Sequence, residues 1–205
     1  TFGSLLFLLV ARGLSPLWVA AYAWHPLVIL EIAGSGHNDA LGIAFLARPA
    51  AATAQLPTVL VIKEWWGLND HIKDIAQRFA RAGYAALAPD LYSRLGYQVT
   101  KDPNEAAKLM EALSSQAALR DLNAATNFLQ QQPFVDPQRI GVVGFCMGGT
   151  FALMTATHNS TIKASVPFYG KVPPIETMNY LVCPVLYHYG AKDGWVTKQE
   201  VDRLK

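Results

Sequence analysis

Cysteine, charge and long apolar runs are scarce in this chain of 205 residues. The two cysteines, Cys146 and Cys183, are too few for a disulfide framework, and their separation excludes a Cys-x-x-Cys redox pair. Charged residues make up only 16% of the chain and the formal net charge is +2. The chain therefore lacks the strongly basic composition of a nucleic-acid-binding protein, and we expect no nucleic-acid partner.

Much of the 52% hydrophobic content lies in residues 4–33, but arginine, proline and histidine interrupt this segment. It contains no continuous run of the roughly 18 apolar residues that a clean membrane-spanning helix needs. The start of the chain is neutral, whereas a signal peptide begins with basic residues. We predict an apolar helical segment over residues 1–41, with membrane association possible only through residues 4–33.

Two interpretations fit His37, Asn38 and Asp39, which follow this segment. They form either a polar site at a membrane face or a solvated turn, and the absence of partner ligands at metal spacing favours the turn. We expect neither a metal nor a cofactor. Residues 22–27, Glu31 and residues 34–39 resemble part of the polytopic, polyprenol-dependent membrane glycosyltransferases. Such enzymes need many spans, so the length of the chain excludes a working glycosyltransferase.

From Gly42 onward, strand-like and helix-like patterns alternate. This alternation predicts an α/β fold, with a mostly parallel sheet and helices on both faces, as a domain over residues 42–205. Strands are predicted over residues 43–49, as a short edge strand, and over residues 58–62, 84–88, 140–145, 164–168 and 182–187. Helices are predicted over residues 71–82, over residues 102–129 as one long helix, and over residues 148–157.

The most informative motif is Gly144-Phe145-Cys146-Met147-Gly148-Gly149, directly after the apolar strand. A small-x-nucleophile-x-small pattern between a strand and a helix is the nucleophile elbow of α/β-hydrolases, here with Cys as the nucleophile. The glycines leave room where strand and helix pass closely, and the N-terminus of the helix favours a thiolate. The motif indicates acyl transfer at Cys146; the alternative is a buried structural cysteine in a glycine-rich turn.

Further candidate residues follow the carboxyl end of the strand over residues 58–62, where functional groups of α/β sheets gather. The backbone N–H groups of Trp65 and Met147 are the candidates for an oxyanion hole. Glu64 beside them could contact the Cys146 thiol or help it to lose its proton. The alternative for Glu64 is an exposed carboxylate at the end of a strand.

Asp193 follows the last predicted strand and stands after the nucleophile, as the acid of the catalytic triad does in this fold. The alternative is a turn-forming Asp before Gly194. Arg94 follows the end of another strand, where it is either a ligand for a substrate carboxylate or an ordinary surface residue. Asp90 is predicted to be a structural carboxylate that ties its loop.

Four motifs together resemble the dienelactone hydrolase family, the carboxymethylenebutenolidases: residues 64–72, 88–92, 141–149 and 190–193. The resemblance runs from about residue 44 to the end of the chain. It implies a Cys-His-Asp triad, a Glu that controls the thiolate and an Arg for the substrate carboxylate. By position these roles fall on Cys146, Asp193, Glu64 and Arg94.

The resemblance also implies an activity, which is hydrolysis of a small ester or lactone through an acyl-thioenzyme. The reaction of the family converts dienelactone to maleylacetate, a step in the degradation of chlorinated aromatic compounds. The expected partner is therefore a small-molecule ester or lactone, and we expect a cytoplasmic monomer or a protein that is membrane-associated through its N-terminal segment.

Histidine is the missing part of this pattern, because none of the five histidines follows Asp193. The only conceivable substitute is His71, near the predicted oxyanion loop. We therefore expect a C-terminally truncated hydrolase domain with impaired activity. The alternative is a membrane-anchored, non-catalytic binding module with a degenerate hydrolase pocket.

Overall fold

One sheet of six strands organises the part of the chain that the structure describes. The structure is a computed structural model, and it describes the backbone of residues 27–33 and the whole of residues 43–204. The strand order is β1-β2-β4-β3-β5-β6. The neighbours β4, β3, β5 and β6 are parallel, and β1 and β2 are added antiparallel. The strands are β1 (Leu27–Ala33), β2 (Ile43–Pro49), β3 (Leu56–Ile62), β4 (Ala85–Pro89), β5 (Val135–Phe145) and β6 (Ile162–Phe168).

Helices follow most of the parallel strands, as the α/β prediction requires. Each of the longer helices begins where the sequence supplies a cap or the elbow turn; for example, the Asn69 side chain accepts a hydrogen bond from the Ile72 N–H at 3.1 Å. No helix in residues 43–204 is long and apolar enough to cross a membrane. The helices are α1 (Asp70–Arg81), α2 (Pro103–Ala112), α3 (Ser115–Gln130), α4 (Met147–His158), α5 (Ile175–Met178) and α6 (Lys198–Asp202).

The core has two parts because the sheet is covered on both faces. Leu60 and Ile62 of β3 belong to the cluster under α3 and α4, whereas Val61 belongs to the cluster under α1. All three side chains are fully buried. Alternate residues of one strand therefore face opposite apolar layers, which explains the continuous apolar run in the sequence.

The N-terminal prediction is wrong for the residues that can be compared. Leu27–Ala33 forms a strand rather than a helix, and all seven residues pair antiparallel with β2. Its composition explains this, because valine and isoleucine favour extended backbone. Because β1 pairs with β2, β2 lies between β1 and β4, and the prediction of an edge strand over residues 43–49 is also wrong. The sheet thus crosses the proposed domain boundary at residue 42, while residues 1–26 and the predicted turn at His37–Asp39 lie outside the described residues.

The predicted long helix is two helices. Leu113 and Ser114 adopt extended backbone angles, and the Ser114 side chain accepts a hydrogen bond from the Ala117 N–H at 3.4 Å. A serine that caps a new helix competes with continuation of the old one, and the sequence pattern alone did not reveal this.

The last predicted strand, over residues 182–187, is not a regular strand. The chain runs beside β6 with two isolated parallel bridges, Ser165 to Val185 and Phe168 to His188. Pro184 contributes to the interruption because it lacks a backbone donor.

Candidate active site

The elbow predicted around Cys146 is present between β5 and α4. Cys146 has φ of 55°, in the left-handed region that non-glycine residues rarely adopt. The neighbouring glycines are required by close backbone contacts: a Cβ on Gly148 would lie 2.5 Å from the Lys63 carbonyl oxygen, and one on Gly144 would collide with the Gly148 carbonyl. A strained residue held by such packing is typical of a functional site.

The register of the sheet brings two loops to this cysteine. Ile62 of β3 pairs with Gly144, so the loop that begins at Lys63 lies beside the elbow. On the other side, the Cys146 N–H donates to the Phe168 carbonyl at 3.0 Å, so the loop after β6 lies there. The carboxyl ends of three parallel strands therefore meet at the sulfur, as expected for an α/β sheet.

The thiolate expected from the helix N-terminus is not favoured in this structure. Burial raises the pKa of the Cys146 thiol above its ordinary value. A hydrogen bond from the Met147 N–H acts in the opposite direction, and the charges of Glu64 and Asp193 raise the pKa further. Cys146 is therefore a protonated thiol at neutral pH and must lose its proton when it reacts.

Glu64 acts on this thiol through its charge and is held by a tyrosine, although it is not among the residues that line either cavity at Cys146. The Tyr169 hydroxyl donates to Glu64 Oε1 at 2.9 Å. Tyr169 follows β6 directly and, like Cys146, has a positive φ, of 42°. Burial and the Glu64 hydrogen bond raise the pKa of Tyr169, so the phenol keeps its proton and remains a donor.

The two residues predicted for the oxyanion hole, Met147 and Trp65, both lie at the site. Met147 is the first residue of α4, and its N–H faces the sulfur. Trp65 lies in the loop after β3, where its ring contacts that of Trp66 edge to face with centroids 5.0 Å apart. The Trp65 carbonyl accepts a hydrogen bond from the Tyr92 hydroxyl at 3.0 Å.

Cys146 opens onto two adjoining cavities. One of about 310 Å³ is also lined by Trp65, Tyr169 and Asp193. The second, of about 250 Å³, is mostly apolar. Its other lining residues are Met110, Leu113, Ser115, Met147, Thr150, Phe151, Met154, Lys171 and Trp195. The volumes suit a small molecule with an apolar part.

Asp193 lies on the wall of the first cavity and also holds its own turn. Its Oδ1 accepts hydrogen bonds from the backbone N–H groups of Trp195 at 2.7 Å and Val196 at 3.3 Å. The two interpretations of the sequence, a site residue and a turn-forming residue, are therefore compatible in the folded chain.

Arg94 is not among the residues that line either cavity. Its guanidinium pairs with Asp121 of α3, with Nη2 2.6 Å from Oδ1 and Nε 3.2 Å from both carboxylate oxygens. Asp121 is buried, and its pair with Arg94 connects the loop after β4 to α3.

The role predicted for Asp90 is confirmed, because its Oδ1 accepts a hydrogen bond from the Tyr92 N–H at 2.9 Å within the same loop.

The described histidines do not complete a triad. His71, His158 and His188 are exposed, and none lines either cavity at Cys146. The ring of His188 stacks on Phe168 with centroids 4.3 Å apart, and His158 contacts the Met154 carbonyl at the end of α4. His71 is therefore not placed as a substitute base, and His25 and His37 lie outside the described residues.

Sequence reasoning did not predict roles for Tyr169, Tyr92 or Lys63. Each follows the carboxyl end of a parallel strand, and this position could have marked all three. Their contacts, however, join residues far apart in the chain, such as Tyr169 and Glu64.

Comparison with known proteins identifies the family of this chain. The model of the dienelactone hydrolase family matches residues 43–205. Because that match begins at residue 43, it gives no support to the glycosyltransferase resemblance of residues 1–40.

Two curated relatives are also similar to this chain. The chain is 36% identical over 175 residues to the "Probable 2-oxo-3-(5-oxofuran-2-ylidene)propanoate lactonase" of Bradyrhizobium sp., covering 78% of this chain and 68% of the relative. It is 34% identical over 180 residues to the "Putative carboxymethylenebutenolidase" of Methylorubrum extorquens, covering 82% and 62%. The chain thus spans about two thirds of the length of these relatives.

The fold is shared with a crystal structure from Klebsiella pneumoniae, described as a "Putative Dienelactone Hydrolase". The TM-score is 0.78 at 30% sequence identity, and the match covers 88% of this chain and 79% of the other. The family model, the relatives and the shared fold agree with one another, and the chain belongs to the dienelactone hydrolase family.

Proposed function

We propose that the chain hydrolyses small esters or lactones through an acyl-thioenzyme on Cys146. The observation that carries this proposal is the strained elbow, which presents the sulfur to two cavities and to the Met147 N–H, where the charge of Glu64 acts on it. The alternative of a membrane-anchored binding module finds no support in the described residues.

In the first step the Cys146 sulfur attacks the carbonyl carbon of the substrate while the thiol proton leaves. The carbonyl oxygen becomes an oxyanion, for which the backbone N–H groups of Met147 and Trp65 are the proposed donors. The C–O bond then breaks and the leaving alkoxide takes up the proton. An ester releases an alcohol, whereas a lactone keeps its new hydroxyl on the acyl group.

Glu64 is the proposed acceptor of the thiol proton. Its charge already acts on the thiol, and the Tyr169 hydroxyl fixes the position of its carboxylate. The raised pKa of Cys146 makes such an acceptor necessary, because few sulfurs are ionised at neutral pH.

In the second step water attacks the thioester, the C–S bond breaks, and the acid and the free thiol are formed. This step needs a base for the water, and none of the described histidines lines either cavity. We propose that Asp193 contributes its charge here, that deacylation in this chain is slow, and that the acyl-enzyme accumulates.

The proposed substrates are small and partly apolar. Methionine, leucine and phenylalanine side chains line the second cavity, which is large enough for a short acyl or alkyl group. Hydrolysis of dienelactone to maleylacetate is the specific reaction proposed from the family. The carboxylate-binding role of Arg94 stays a prediction, since a substrate would have to share that side chain with Asp121.

A p-nitrophenyl ester of a short acid tests the proposal. Intact-mass and peptide analysis of the folded chain should show one acyl group on Cys146 and none in Cys146→Ala. Cys183, a partly buried thiol outside both cavities, is the internal control. Equal labelling of the two cysteines, or no labelling of folded protein, would refute acyl transfer at the elbow.

A further inference from the structure

Tyr92 is fully buried beneath the site and is in contact with both predicted oxyanion residues. It follows β4, and its hydroxyl donates to the Trp65 carbonyl at 3.0 Å. The same oxygen lies 3.9 Å from Met147 Sδ. One side chain thus connects the loop after β3 to the first residue of α4.

The ring of Tyr92 is itself held from other sides. Lys63 is fully buried, and its Nζ lies 3.0 Å from the centroid of the Tyr92 ring. This Nζ has no hydrogen-bond partner among the described residues and is held by its cation–π contact with the ring. The Tyr92 N–H donates to Asp90 at 2.9 Å, which fixes the backbone of the same residue.

A phenol is suited to this position because it must donate. Burial and the charge of Asp90 raise the pKa of Tyr92, so its hydroxyl stays protonated at neutral pH. The hydroxyl donates a hydrogen bond to the Trp65 carbonyl. The N–H of the same residue, Trp65, is one of the two proposed oxyanion donors. Without the hydroxyl, that carbonyl loses its side-chain donor and the loop loses a tie to the core.

We propose that Tyr92 is a positioning residue for the oxyanion-binding groups of Trp65 and Met147, with Lys63 holding its ring. This inference rests on the proposed acyl transfer at Cys146. In this role Tyr92 takes no part in the reaction at Cys146; it keeps two backbone donors at a fixed separation, on which stabilisation of an oxyanion depends.

The test compares two reactions of the same sulfur in wild-type protein and in Tyr92→Phe. Acylation by a p-nitrophenyl ester passes through an oxyanion, whereas alkylation by iodoacetamide displaces iodide without one. We expect the acylation rate to fall about 10- to 100-fold, as for displaced oxyanion donors, and the alkylation rate to stay within about twofold. The matched control is Thr58→Val, which removes a buried hydroxyl at the far end of β3 and should change neither rate.

An equal fall of both rates would show that Tyr92 is only structural, and no fall would refute the proposal outright. If wild-type Cys146 is alkylated but never acylated, the proposed function fails, and hydrogen exchange then decides the inference. Tyr92→Phe should accelerate exchange of the backbone amides of residues 64–68 relative to Thr58→Val. Unchanged exchange there would overturn the positioning role even in an inactive chain.

Discussion

Lys63→Met is the substitution whose effect on stability the structure defines most closely. Lys63 lies at the carboxyl end of β3 and is fully buried, and its Nζ has no hydrogen-bond partner among the described residues. Burial lowers the pKa of Lys63 from 10.5 to about 7, although the charge of Asp90 acts in the opposite direction. Methionine has a similar length and carries no charge, so it can occupy the same space.

The sign and the pH range of the effect follow from this pKa. Below pH 7 both the folded and the unfolded chain carry the proton on Lys63, and the folded chain bears the full cost of a buried charge. Between pH 7 and 10.5 the unfolded chain binds more protons, so the contribution of Lys63 to stability improves as the pH rises. Lys63→Met removes this dependence, and its advantage is largest at pH 7 and below.

The size of the change in stability follows from the difference between the two pKa values of Lys63, in the folded and the unfolded chain. At about 1.4 kcal/mol per pKa unit, the cost of the buried charge is on the order of 5 kcal/mol. Loss of the contact between Nζ and the Tyr92 ring offsets about 2 kcal/mol of this, while Lys73 continues to act on the charge of Asp90. We therefore expect the variant to be more stable by about 3 kcal/mol at pH 6.5, with little difference above pH 10.5.

Urea unfolding at pH 6.5, 8 and 10 measures this dependence directly. With a denaturant slope of about 2 kcal/mol per M, the midpoint at pH 6.5 should rise by about 1 to 2 M. Lys108→Met, at an exposed position of α2, is the control and should move the midpoint little at any pH. A variant that is less stable than wild type at pH 6.5, or a gain that does not shrink with rising pH, would refute the reasoning.

Two further predictions concern the elbow. Gly148→Ala should destabilise the fold by about 3 kcal/mol or prevent folding, because the new Cβ would lie 2.5 Å from the Lys63 carbonyl oxygen; thermal unfolding against Gly194→Ala, which meets no atom within 4 Å, measures this. Glu64→Gln should lower the pKa of Cys146 by removing a nearby negative charge and speed alkylation by iodoacetamide at pH 8 about two- to fivefold. Acylation of the same variant by a p-nitrophenyl ester should slow, because the proposed acceptor of the thiol proton is lost. Slower alkylation would refute the effect of the Glu64 charge on Cys146, and unchanged acylation would refute the role of Glu64 as proton acceptor.

The parallel strands and the elbow could be predicted because their signals are local. The apolar runs of β3 and β5 each occupy one short stretch, which predicts a buried strand. The glycines around Cys146 occupy another, which predicts the elbow turn. The break between α2 and α3 was missed because the apolar stripe continues from Leu113 to Ala117, across the serine that caps α3. The strand at Leu27–Ala33 was missed because an apolar segment fits a helix as well as a strand.

The wrong or incomplete expectations about the site share another cause. A helix N-terminus alone predicts a thiolate at Cys146, but burial and two carboxylates raise its pKa. Arg94 occupies a position after a strand that suits a substrate ligand, but it pairs with Asp121, which is 27 residues away in the chain. Contacts between residues so far apart in the chain leave no periodic pattern in a single sequence, so sequence reasoning could not predict them.

By itself, the sequence determined the α/β class and the strand–turn–helix at Cys146, because these depend on periodicity and on glycines within one short stretch. Tertiary structure alone decided what surrounds the sulfur. In the folded chain the Lys63 amino group packs against the Tyr92 ring. Tyr169 donates a hydrogen bond to Glu64, which is 105 residues away in the sequence. The physical reason is that a parallel sheet joins the ends of strands that are distant in the chain, and the chemistry of this site depends on the charges and hydrogen bonds that meet there.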